Sequence, residues 1–231
     1  MDIGYILLIP ALLLAFYAQF KVKSTFKKYS AVQNGNGISG ASVARMILDH
    51  AGVRDVTIEP VPGNLTDHYD PKTKTVRLSD NVYASTSLAA IGVAAHEVGH
   101  AIQHNYSYSP LAIRSSLFPT VSFGSKAAMP IFLIGMVLSY LGTLGSIGIY
   151  FIYAGIFLFS AVVLFQIITL PVEFNASSRA IELLGECGIL TNEEIKPARK
   201  VLNAAALTYV AAAAMAIVQL IRLLLAASRR R

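Results

Sequence analysis

Apolar residues in this chain fall into long runs separated by polar stretches, and the run lengths separate two kinds of structure. Residues 3–20 contain no Lys, Arg, Asp or Glu and are just long enough to cross the hydrocarbon of a bilayer as a helix, with Pro10 tolerated inside it. Asp2 precedes this run and Lys21, Lys23, Lys27 and Lys28 follow it. A cleaved signal peptide has the opposite order, so the run predicts a permanent anchor with its N-terminus outside. Two further runs, 127–144 and 147–170, are separated by Gly145 and Ser146 and predict a tight transmembrane hairpin. Its uncharged tip translocates readily, leaving the flanks marked by Lys126 and Arg179 on the cytoplasmic side. The last run, 201–227, is rich in alanine, contains Gln219 and Arg222, and ends in three arginines. It reads either as a fourth span or as a helix lying at the cytoplasmic face.

Between the first run and the hairpin, residues 21–126 change character and predict a small α/β unit. Ser39 or Ser42 can cap a helix whose Val43, Met46 and Ile47 share one face, with Gly52 as its left-handed stop. Residues 56–61 read as a strand. Turns follow at Pro62-Gly63-Asn64 and Asp70-Pro71, and residues 75–79 alternate as a half-exposed edge strand expected to align an extended substrate. Ser85, Thr86 or Ser87 can then cap a helix running to about His104. Residues 171–200 form a second polar segment, whose Glu173 follows Pro171 where a new helix is expected to start.

Composition removes the alternatives to a membrane protein. Hydrophobic residues make up 55% and charged residues 14% of the 231, with a mean hydropathy of +0.57, which excludes both an ordinary soluble domain and a disordered chain. Cys187 stands alone, so no intrachain disulfide forms. The net charge of +6 would suit nucleic acid, but many of the basic residues flank apolar runs, where they serve as membrane-surface anchors. The reading is therefore a membrane α-helical protein of three or four spans with a small cytoplasmic α/β domain.

His96-Glu97-Val98-Gly99-His100 supplies the chemistry. Residues i and i+4 stack on one helical face, so both imidazoles reach one ion while the glutamate touches water beside it. A catalytic zinc takes three protein ligands. Glu173, just past the hairpin, returns to the membrane face from which the histidine helix departed and is the candidate third. His104 is a competing ligand in principle, and His50 and Cys187 read as structural.

The runs Leu65-Thr66-Asp67-His68-Tyr69-Asp70-Pro71, Ala94 to Ala101, Pro171 to Ser177 and Ala205-Ala206-Leu207-Thr208-Tyr209 resemble the YugP family of bacterial membrane zinc peptidases over nearly the whole chain. More distantly the layout is similar to the HtpX and CAAX prenyl protease group. The resemblance implies a zincin-like domain holding one Zn2+ per chain through His96, His100 and Glu173, with Glu97 as the general base of peptide hydrolysis. Ser177 departs from the distant group, which has an aspartate there to orient a zinc histidine; Asn175 is an alternative for that role. Oxyanion and other supporting candidates are His68, Tyr69, Tyr83, Arg179 and Tyr209. The expected substrate is a protein or peptide, membrane proteins included, met at the cytoplasmic face of a bacterial cell membrane. An oligomer or a regulatory membrane partner is compatible with this reading. Intramembrane cleavage and a non-catalytic zinc scaffold are the competing readings. The hairpin lacks the intramembrane carboxylate that the first would use, and a structural site has no need of Glu97.

Overall fold

A computed structural model describes residues 6–141 and 144–228. The elements in chain order are α1 (Leu8–Ser30), α2 (Gly40–His50), β1 (Thr57–Val61), β2 (His68–Asp70), β3 (Thr75–Ser79), α3 (Asp80–Tyr83), α4 (Leu88–Asn105), α5 (Ser109–Leu138), α6 (Gly145–Glu186) and α7 (Asn192–Ser228). Contacts divide the chain into two compact units. An apolar unit gathers the described parts of residues 1–17, 113–170 and 209–231, and a polar unit holds residues 18–112 and 171–208.

In the apolar unit, α5 and the first part of α6 pack through glycines. A Cβ on Gly135 would lie 2.5 Å from the backbone nitrogen of Ile152, and one on Gly155 would lie 2.8 Å from that of Phe132. Small residues let the backbones approach closely, which is how helices associate where lipid removes the hydrophobic drive between them. Phe132, Ile152, Ile156 and Leu223 form the buried centre, while Phe123, Tyr150 and Phe157 point outward. Three helices, α5, α6 and α7, are long and apolar enough to cross a membrane; α1 does not reach that measure over its described residues.

Helix lengths depart from the sequence expectation. The first hairpin helix starts at Ser109, well before residue 127, because residues 109–126 contain only two charges and continue the helix. The hairpin turn falls between Leu138 and Gly145 rather than at Gly145-Ser146, which already belong to α6; residues 142–143 lie outside the described residues. Pro171 lies within α6 instead of starting a new helix. Proline removes one ladder bond, and the long helical stretches on both sides carry through it.

The polar unit is built on the local signals. Ser39 Oγ accepts from the Ser42 backbone N–H at 3.3 Å and Ser87 Oγ accepts from that of Ala90 at 3.2 Å, so both α2 and α4 carry N-caps of the expected type. Gly52 takes a positive φ of 71° just after α2, the conformation that glycine adopts without strain. Val43, Ile47 and Leu48 of α2, Val76 and Leu78 of β3, Leu88, Ile91, Val98 and Ile102 of α4, Leu184 of α6 and Leu202 of α7 share one buried core.

The sheet corrects the edge-strand expectation. Its order is β1-β3-β2, so β3 is central, parallel to β1 with Thr57 opposite Thr75 and antiparallel to β2 with His68 opposite Arg77. Thr75 and Arg77 are the polar positions of the alternating 75–79 run, the ones a half-exposed strand would turn to solvent, but Arg77 pairs with Glu59 of β1 at 3.4 Å and Asp70 of β2 at 3.3 Å. Thr75 shares a 3.0 Å hydrogen bond with Thr57. The polar positions of β3 thus link to its neighbours, and with both sides paired this strand cannot take up a substrate strand.

Candidate metal centre

Helix α4 places His96 and His100 one turn apart, with ring centroids 4.7 Å apart and planes at 81°. Glu173 comes from α6, only 2% exposed. Its Oε2 lies 3.3 Å from His96 Nε2 and 3.6 Å from His100 Nε2. One ligand atom from each of the three lies within 4.8 Å of the others, and theirs is the metal-competent cluster found among the described residues. Gly99 allows this approach: a Cβ there would sit 2.7 Å from the Ala176 carbonyl oxygen, so any larger residue would push α4 away from α6.

Each imidazole is held by its other nitrogen. His100 Nδ1 lies 3.0 Å from Gln103 Oε1, which can only accept, so this nitrogen carries the hydrogen and Nε2 keeps its lone pair for the cluster. Gln103, fully buried, donates from Nε2 to the Val172 carbonyl at 2.8 Å and to Asn175 Oδ1 at 3.0 Å. Arg179 Nε donates to the same oxygen at 2.8 Å. His96 Nδ1 pairs with Ser177 Oγ at 3.1 Å. Two imidazole nitrogens and a carboxylate oxygen converging with the outer nitrogens engaged is a donor set that fits zinc.

The charges of the cluster are coupled. Burial opposes the charged form of Glu173, but hydrogen bonds from His100 and His96 outweigh it and hold this carboxyl, three residues past the apolar run, well below the usual range. Burial also works against charge on His100, and the hydrogen bond and charge of Glu173 overcome it and raise its pKa. Glu97 is 8% exposed. Burial pushes its pKa up, with the two imidazoles only partly offsetting the effect, which makes it a stronger base than a solvated glutamate.

The remaining candidates are dispersed. Asn175, Ser177 and Arg179 belong to the hydrogen-bond network around the histidines. Tyr69 donates to or accepts from His104 Nδ1 at 2.8 Å, and burial, followed by the charges of Asp55 and Asp70, pushes its phenol up to about 12. Neither Tyr69 nor His104 belongs to the cluster. His68 is exposed on β2 with Nδ1 2.8 Å from the Thr66 carbonyl oxygen, Tyr83 and Cys187 pack against the core, and Tyr209 belongs to the apolar unit. Sequence reasoning missed Gln103. Its signal was a polar residue three positions after His100, next to the alanine and isoleucine that continue the buried face of the helix.

Two imidazoles and a carboxylate converging in this way form a candidate metal site, and the chain belongs to the family described as "Putative neutral zinc metallopeptidase", whose profile matches residues 4–228. It is 55% identical over 216 residues, 94% of this chain and 92% of the relative, to "Putative membrane protease YugP" of Bacillus subtilis (strain 168). No solved structure matches it.

Proposed function

We propose that this protein is an integral-membrane zinc endopeptidase of the gluzincin type, with one zinc per chain held by His96 Nε2, His100 Nε2 and Glu173, and that it cleaves proteins at the cytoplasmic membrane face. The convergence of those three donors around a helix that also carries buried Glu97 is the observation that supports the reading most. Zinc held by these three donors would supply Lewis acidity to a scissile carbonyl and make water nucleophilic at neutral pH. Glu97 takes a proton from the attacking water as the new C–O bond forms, and passes it to the amine nitrogen as the peptide C–N bond then breaks. Gln103 and Ser177 hold the imidazoles at their outer nitrogens and so fix the ligand tautomers. An extended substrate pairs with the outer edge of β2, where His68 is exposed, in place of the fully paired β3. The N-terminus lies outside, α1 and the three apolar helices cross the membrane, and the polar unit faces the cytoplasm.

Glu97→Gln tests the assignment. Full-length variant protein should bind one zinc as the wild type does and lose hydrolysis of an unfolded protein substrate by about a hundredfold or more, whereas His96→Ala should lose both. Equal loss of zinc from the two variants would contradict the roles. A zinc-loaded wild type that cleaves nothing, with Glu97→Gln cells behaving normally, would favour a scaffold. Cleavage confined to bonds inside the bilayer would favour an intramembrane protease, although Glu173 follows the apolar run rather than lying within it.

A further inference from the structure

A second site in the polar unit is electrostatically incomplete. A cavity of about 520 Å³ lies between α1 and α7, and Lys21, Lys28 and Lys200 line it together with Ser24, Tyr29 and Asn203. The pattern is helical on both sides. Lys21, Ser24, Thr25 and Lys28 follow i, i+3, i+4, i+7 on α1, and Lys200, Asn203, Ala204 and Leu207 repeat that spacing on α7, so each helix turns one continuous face to the cavity. Tyr29 and Val201, adjacent to those faces, pack in a shared buried cluster, which fixes the spacing of the two helices there.

Among the described residues, no acidic side chain lines the cavity. Two lysines of the polar unit meet carboxylates, Lys74 with Asp55 and Lys196 with Glu193. Among the described residues, Lys21, Lys28 and Lys200 make no ion pair, and Lys28 Nζ instead lies 5.5 Å over the Tyr29 ring. Three ammonium groups around one hollow repel one another, and a ligand with several anionic oxygens relieves that repulsion. The Tyr29 hydroxyl and the Asn203 amide add neutral donors, while the Ser24 hydroxyl donates to the Lys21 carbonyl at 3.1 Å; ammonium groups with such donors suit a phosphate.

The position of the lysines distinguishes a lipid from a soluble phosphate. Lys21 directly follows the apolar run of α1, whose Leu13, Phe16 and Phe20 are 63%, 65% and 71% exposed. Lys200 directly precedes the apolar run of α7, and Ala204 and Leu207 give the cavity an apolar side. Each helix therefore places its charge where a polar head meets a hydrocarbon tail. We propose that this cavity binds the phosphate of an anionic phospholipid headgroup. The proposal is independent of the zinc reading, because no residue of the cavity belongs to the metal cluster.

The test uses full-length protein, delipidated in neutral detergent, with phosphatidylglycerol binding read by native mass spectrometry. Wild type should retain the lipid, and K21Q/K28Q/K200Q should weaken binding by about tenfold or more. The charge-matched K23Q/K27Q/K196Q, altered outside the cavity, should stay within about twofold of wild type. Ser24→Asp, which places a negative charge in the hollow without removing a lysine, should weaken binding as the triple variant does. Equal weakening by both triple variants would overturn the site in favour of diffuse surface charge. Equal retention of phosphatidylcholine would overturn the requirement for a net anionic lipid. Glycerol phosphate binding as tightly as the lipid would overturn the headgroup assignment in favour of a soluble phosphate ester. If K21Q/K28Q/K200Q fails to fold by circular dichroism, single Lys200→Gln carries the comparison, with unchanged lipid affinity contradicting the site.

Discussion

At His100 the two ring nitrogens have different tasks, and Gln103 divides them. Its Oε1 fixes the hydrogen on Nδ1, and its amide is anchored in turn to Val172 and Asn175 across the helix pair. Gln103→Leu should therefore lower zinc affinity by about 10–100-fold in competition with a fluorescent chelator, and Gln103→Glu should recover it only in part, because it keeps the acceptor for His100 but sets a carboxylate oxygen against the Val172 carbonyl and Asn175 Oδ1. Unchanged affinity in the leucine variant would show that the tautomer is fixed in another way. Ser177 offers the complementary experiment. It meets His96 with a neutral hydroxyl, so Ser177→Asp should bind zinc at least as tightly as wild type and Ser177→Ala more weakly. The pairing of histidines i and i+4 with a glutamate beside them was legible in the sequence because helical periodicity alone sets it. Gln103 was hidden because its importance depends on what α6 places opposite it, which no local pattern encodes.

At the level of elements, the helix pair that makes the site depends on one missing side chain. Gly99→Ala would force a Cβ to 2.7 Å from the Ala176 carbonyl oxygen, so α4 and α6 must separate; such overpacking costs about 1–3 kcal/mol. The expected outcome is a lower melting temperature and sharply weakened zinc binding with helical circular dichroism retained. Normal zinc affinity would mean that the helices have slack at this contact. Glu194 is a second fixed point. Its carboxylate accepts from the backbone N–H groups of Thr191 at 2.9 Å and Gly35 at 2.6 Å, and these bonds, Thr191 first, hold its pKa below the ordinary 4.5. A depressed folded pKa gives stability that is present above 4.5 and lost as pH falls through the folded value. Glu194→Gln should accordingly melt below wild type near neutral pH, and the two curves should converge in acid. A gap independent of pH would remove the charge from the explanation. Caps and stops such as Ser39, Gly52 and Ser87 could be read directly, since each is satisfied within a few residues. Strand order could not: Thr75 and Arg77 alternate with apolar residues as in a half-exposed strand, yet the Arg77 partners Glu59 and Asp70 lie on separate strands.

For the molecule as a whole, run lengths and charge flanks made a membrane protein legible, because lipid acts on composition before it acts on fold. Element ends were less clear, since helices such as α5 and α6 continue beyond their apolar cores through residues that either environment accepts. The proposed topology places both termini outside. In intact cells, externally added protease should remove tags from the N- and C-termini and spare one inserted in the exposed 62–66 turn, read by immunoblotting. Protection of the C-terminal tag would place α7 on the cytoplasmic face instead, where the charge rule would put its three terminal arginines.

The central claim is that Glu173, from beyond the hairpin, completes a metal site begun by two histidines of α4. An anomalous-difference map collected at the zinc edge tests it most directly. The account predicts a single peak about 2.0–2.2 Å from His96 Nε2, His100 Nε2 and a Glu173 carboxylate oxygen. A peak bound to the histidines with Glu173 turned away, or one centred on other side chains, would contradict it.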